Sequence, residues 1–132
     1  MNEIPHRIGK YRIIKEVGRG ATAVVYMAES PDGPDPVAVK LVRFDDKAKD
    51  VAKWNRRLLK LLKAEKAVVS RHDHPNILRI FEVATESDQA DVLLEYFPDE
   101  TLQRYSWSNR LLPAHRSSGI LFKCCMALDL AY

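Results

Sequence analysis

Val17-Gly18-Arg19-Gly20-Ala21-Thr22-Ala23-Val24-Val25-Tyr26, read together with Val37-Ala38-Val39-Lys40 downstream, decides how the rest of the chain is interpreted. Two glycines one residue apart leave main-chain N–H groups free of side-chain cover, so a phosphate can approach them closely. On either side lie runs of β-formers, Tyr11-Arg12-Ile13-Ile14-Lys15-Glu16-Val17 and Ala23-Val24-Val25-Tyr26-Met27-Ala28-Glu29. Both flanks read as strands, which places the glycines at the tip of a hairpin. A dinucleotide-binding GxGxxG opens a helix, and a P-loop requires Gly-Lys-Ser/Thr; this stretch meets neither condition.

A hairpin glycine loop followed by Val-Ala-Val-Lys resembles the nucleotide-covering loop and third-strand lysine of protein kinases. The run from Gly18 to Tyr26 is similar to that of bacterial-style serine/threonine kinases. One departure is Ala23, where the family pattern has its third glycine; alanine is small enough to keep the loop thin, at some loss of flexibility. The resemblance implies that Val17, Gly18, Arg19, Gly20, Ala21, Thr22, Ala23 and Val25 enclose ATP from above, and that Lys40 faces its α- and β-phosphates. Val17, Val25 and Ala38 would form the apolar roof over the adenine. Each of these apolar residues has a plainer reading as core, and Lys40 has one as a solvated edge lysine.

Downstream, Ser30-Pro31-Asp32-Gly33-Pro34-Asp35-Pro36 concentrates chain breakers and marks a loop before the third strand, Val37 to Phe44. From about Asp46 to Arg71 the periodicity changes from two to 3.6, with Val51, Trp54, Leu58, Leu61, Leu62, Val68 and Val69 on one stripe. Asp45, Asp46 and Asp50 suit the N-terminal end of the helix dipole. Glu65 falls within the stripe, four residues after Leu61 and three before Val68, where an unpaired carboxylate is costly. Lys40 is the cation expected to meet it; the alternative is a stripe-edge position from which Glu65 reaches water. The resemblance favours the pair, because the kinase helix glutamate lies nine residues before a His-Pro-Asn motif, as Glu65 lies before His74-Pro75-Asn76.

Ile77 to Val83 and Val92 to Phe97 read as fourth and fifth strands around a polar turn at 85–90. The expected fold is therefore α+β, a five-stranded antiparallel sheet with one packed helix, similar to the small lobe of a protein kinase. In that likeness Leu94 guards the back of the adenine pocket, and the main chain of Glu95 to Phe97 is the hinge that hydrogen-bonds the adenine edge. Residues 1–10 form a polar lead-in, lying along the first strand or disordered; 11–97 form the small lobe. Residues 98–132 resemble the first helices of the large lobe, a short one over Leu102–Arg110 and a longer one from Leu112-Pro113. Ser117, Leu121, Cys124, Cys125, Leu128 and Tyr132 are expected on one face of the latter.

Phosphoryl transfer in this family also uses an aspartate to orient the attacking hydroxyl, and an asparagine and a second aspartate to hold magnesium. His115-Arg116 is followed by Ser117 instead of Asp, and no Asp-Phe-Gly occurs in the 132 residues. The expectation is an ATP-binding portion of a serine/threonine-type kinase, inactive alone, with magnesium and protein-substrate contacts supplied by the remainder of the domain. The alternative is a non-catalytic kinase-like interaction module. His72 and His74 lack a third ligand nearby, which argues against a metal site.

Apolar content of 46% and charged content of 30% are those of a folded soluble domain. The net charge of +3 is spread out, and the basic residues Lys53, Arg56, Lys60, Lys63 and Lys66 read as a solvated helix face, not a nucleic-acid surface. The only cysteines, Cys124 and Cys125, are adjacent and cannot build a disulfide framework. No apolar run approaches the ~20 residues of a membrane span and the N-terminus has no signal-peptide pattern, so a cytoplasmic location is expected.

Overall fold

The computed structural model describes residues 3–44, 50–71, 73–86, 89–99 and 101–131. Strands β1 (Arg7–Ile8), β2 (Tyr11–Arg19), β3 (Ala23–Glu29) and β4 (Pro36–Arg43) precede helix α1 (Val51–Ser70). Strands β5 (Ile80–Thr85) and β6 (Gln89–Glu95), a 3-10 turn (Leu102–Ser106) and helix α2 (Ala114–Ala131) complete the order. All pairings are antiparallel, in the order β1-β2-β3-β4-β6-β5.

The expected α+β fold is the one observed, with six strands in place of five. The additional strand comes from the lead-in: Gly9, at φ 55°, allows a tight reversal that lays Arg7 and Ile8 against Arg12 and Tyr11. Ile13 N–H also donates to the His6 carbonyl at 3.0 Å.

Alternation along the strands divides the core between two sheet faces. Ile8, Ile13, Tyr26, Ala28, Val39 and Leu41 are buried together on one. Val42, Ile80, Ala90 and Val92 are buried on the other, beneath Leu62 of α1.

Helix α1 begins at Val51, with the Asp50 carboxylate accepting from Lys53 N–H at 3.1 Å. Asp45 and Asp46 lie outside the described residues. The helix turns only one side of the expected stripe, Leu58, Leu62 and Val69, towards the sheet. Leu62 is buried and Leu58, Leu59 and Val69 are half-buried, whereas Trp54, Leu61, Glu65 and Val68 are exposed. The predicted burial of Glu65 is thereby corrected. Both stripes are apolar enough to pack, and turning Leu61, Glu65 and Val68 outward spares the sheet an unpaired carboxylate. In its place comes Lys66, half-buried, whose stem can lie against apolar surface with its ammonium in water.

Three segment ends shift. Residues 77–79 lie outside the strand and follow a turn closed by Ile77 N–H donating to the His74 carbonyl at 3.1 Å and Asn76 N–H to His74 Nδ1 at 3.0 Å. The last strand ends at Glu95, before Phe97. The short helix after the hinge is 3-10 over Leu102–Ser106. On α2, Ser117, Leu121, Cys124, Cys125 and Leu128 are exposed, while Ala127 is buried and Ile120 half-buried. Tyr132 lies outside the described residues. Among those described, no helix is long and apolar enough to cross a membrane.

Candidate functional site

The glycine stretch forms a hairpin tip, as its flanking strands require. Gly20 N–H donates to the Ala23 carbonyl at 2.8 Å, which closes the turn. Arg43 N–H donates to the Thr22 carbonyl at 3.2 Å and ties the tip to the end of β4. In the ladder Gly18 lies opposite Val25 and Arg19 opposite Val24, after a register irregularity between Glu16 and Gly18. The Arg19 guanidinium is engaged by Glu16 at 2.6 Å, which leaves the Arg19 main chain as its contribution to the loop. Nothing lies within 4 Å of where a Cβ on Gly18 would stand. The nearest neighbour of one on Gly20 is the Ala23 carbonyl oxygen at 3.8 Å.

Below the hairpin the cross-strand register assembles one face. Val25 lies opposite Lys40, which lies opposite Val92; Met27 lies opposite Ala38, which lies opposite Leu94. Because side chains alternate, Val25, Ala38, Lys40 and Leu94 share this face with Met27 and Val92. Helix α1 covers its Val42, Ala90 and Val92 end. Met27 and Val92 were not singled out from sequence; their alternation with Tyr26 and Leu93 is the signal that identifies them.

Lys40 is half-buried between two valines and forms no ion pair among the described residues. The structure does not bring it together with Glu65, whose side chain is exposed on α1. A half-buried ammonium without an ion-pair partner, on the face that ends at the glycine hairpin, suits a polyanionic ligand such as a nucleotide phosphate chain.

Val17 is 47% exposed and Phe97 57% exposed. Ala38 is buried and Leu94 half-buried. Glu95 N–H donates to the Arg79 carbonyl at 2.9 Å, and its carboxylate accepts from Arg79 N–H at 3.2 Å. These bonds anchor the end of β6 to the segment before β5. The Arg79 guanidinium in turn donates to Asp73 at 2.6 Å, which raises its pKa further. Among the described residues no three His, Cys, Asp or Glu side chains gather as metal ligands.

Residues 11–132 match the family described as the protein kinase domain. The chain is 31% identical over 124 residues to the serine/threonine-protein kinase PrkC of Bacillus subtilis, covering 94% of this chain and 18% of that protein. It is also 31% identical to the probable serine/threonine-protein kinase PknB of Lactococcus lactis, covering 93% of this chain and 19% of that protein. The crystal structure of the PknI kinase domain of Mycobacterium tuberculosis superimposes with a TM-score of 0.74 at 23% identity, covering 98% of this chain and 51% of that one. The chain thus spans about a fifth of the length of the curated relatives it matches and about half of that solved kinase domain.

Proposed function

From the premise that this chain belongs to the protein kinase family, we propose that it supplies the ATP-binding half of a serine/threonine kinase domain. The observation that carries this reading is the shared face of Val25, Ala38, Lys40 and Leu94, aligned by register beneath the glycine hairpin. Main-chain amides of the 18–23 loop other than that of Gly20, which the Ala23 carbonyl engages, and the Lys40 ammonium would take the phosphates; Val17, Val25 and Ala38 would sandwich the adenine against Leu94. The Glu95 N–H is engaged by Arg79, so the adenine edge falls to the remaining main-chain groups of Glu95 to Phe97.

ATP supplies the transferable phosphoryl group, and the residues here bind and orient it. Transfer to a protein hydroxyl, with its magnesium and its hydroxyl-orienting aspartate, belongs to motifs that these 132 residues do not contain; alone, the chain binds nucleotide without transferring phosphate.

Nucleotide-dependent thermal stabilisation tests the reading. Lys40→Ala removes a charge-assisted contact of about 1.5–3 kcal/mol, which weakens nucleotide binding by about ten- to a hundredfold. If stabilisation survives both Lys40→Ala and a scrambled 18–23 loop, the phosphate site is wrongly assigned. A second reading, a non-catalytic interaction module, is favoured by one observation: Glu65 is exposed and does not orient Lys40. Wild-type protein that gains no stability from nucleotide would select it.

A further inference from the structure

On the sheet face opposite Lys40, the turn from Ile8 to Tyr11 folds across β4, β6 and β5 and bounds a cavity of about 190 Å³. Ile8, Val39 and Leu93 give it apolar walls, and Tyr11 adds an aromatic one. Two carboxylates also line it, those of Asp91 and Glu82. The ladder sets Asp91 opposite Ala84 and Leu93 opposite Glu82, so the two acids are diagonal neighbours on one face, about 7–8 Å apart along the backbone. Glu82 is exposed; Asp91 is half-buried, with one carboxylate oxygen, Oδ1, turned into the protein and accepting no hydrogen bond. Burial, reinforced by the charge of Glu86, raises the Asp91 pKa above its ordinary value. The cavity's one basic residue is already committed, since the Lys10 ammonium pairs with Asp32 and lies 5.6 Å from the centre of the Tyr11 ring.

We propose that this cavity is a binding site for a small organic monocation, a ring or short hydrocarbon bearing one ammonium or amidinium group that meets Asp91. The volume sets the size: an apolar cavity of about 150 Å³ accommodates benzene, so this one takes a ring with a short cationic arm. Charge sets the class. A neutral ligand leaves the Asp91 carboxylate on the cavity wall without a counter-charge, and an anion meets two carboxylates, whereas an ammonium supplies a charge-assisted hydrogen bond. The site lies on the other side of the sheet from the face assigned to nucleotide and does not depend on that assignment.

Benzylammonium is the probe and benzyl alcohol its neutral control, titrated near neutral pH into the 132-residue chain and followed by amide NMR shifts. Saturable shifts centred on Ala84, Asp91 and Leu93 are expected with the amine, and binding at least about tenfold weaker with the alcohol. Asp91→Asn should weaken the amine by a similar factor. Ala84→Leu, which fills the mouth, should abolish binding while leaving nucleotide-induced stabilisation unchanged. Equal binding of amine and alcohol, shifts mapping elsewhere, or no saturable shift at all (water as the sole occupant) overturns the proposal. Should either variant fail to fold, the amine–alcohol comparison on the unaltered chain decides alone.

Discussion

Lys40 and Asp91 sit on neighbouring strands and opposite faces of the same sheet, and neither belongs to an ion pair among the described residues. For Asp91 the consequence is a pH dependence. Burial first, and the nearby Glu86 charge second, raise its pKa above the ordinary 3.8, so the folded protein holds this proton more tightly than the unfolded chain does. Its contribution to stability is therefore greatest in acid and declines as pH rises from the unfolded value through the raised one. Asp91→Asn removes that decline. Relative to the unaltered protein, the variant should gain in urea midpoint as pH climbs through this window and gain nothing well below 3.8. Parallel midpoint curves for the two proteins across the window would contradict the assignment. The sequence did not disclose Asp91, because one acid among alternating β-residues looks the same whether its side of the strand is wet or covered. Lys40, by contrast, was legible from Val37-Ala38-Val39, whose spacing places it on the strand following the hairpin.

Among the elements, the hairpins were easiest to read, since period-two alternation around Gly18–Gly20 and the breaker-rich 30–36 loop admits few other arrangements. The facing side of α1 was harder. Apolar residues occupy both Trp54-Leu61-Val68 and Leu58-Leu62-Val69, adjacent lines that a periodicity argument merges into one broad stripe. Separating them takes the sheet itself, where Val42, Ala90 and Val92 receive Leu62. Truncation measures that choice. Leu62→Ala should cost about 2–5 kcal/mol, as for a buried leucine, while Leu61→Ala, 60% exposed, should stay within about 0.5 kcal/mol. Urea unfolding of both variants checks it, and a reversed order of costs would restore the alternative helix face with Glu65 inside. The β5 boundary was missed for another reason: Ile77 is a strand-former by type, yet the His74–Ile77 turn claims it, and the ladder starts only at Ile80.

For the molecule as a whole, the sheet and α1 form a small lobe with its own two-sided core, whereas α2 carries a largely uncovered apolar surface. Leu121, Phe122, Leu128 and Leu130 are exposed on it, at 64%, 65%, 55% and 45%. An apolar surface of this kind favours association. The 132-residue chain should therefore self-associate with rising concentration, and Leu121→Lys with Phe122→Lys should reduce that while leaving the melting temperature nearly unchanged. Light scattering after gel filtration, paired with thermal melts, distinguishes this from association through the sheet edge, which the two lysines would not alter.

Neither Gly18 nor Gly20 has a positive φ, and both have room for a methyl group. A library of alanine replacements sorted for folded protein should pass both positions freely. Sorted for retention of nucleotide, the same library should be depleted at both. That gap between the two selections would assign the demand for glycine to whatever lies beneath the hairpin, and not to the hairpin itself.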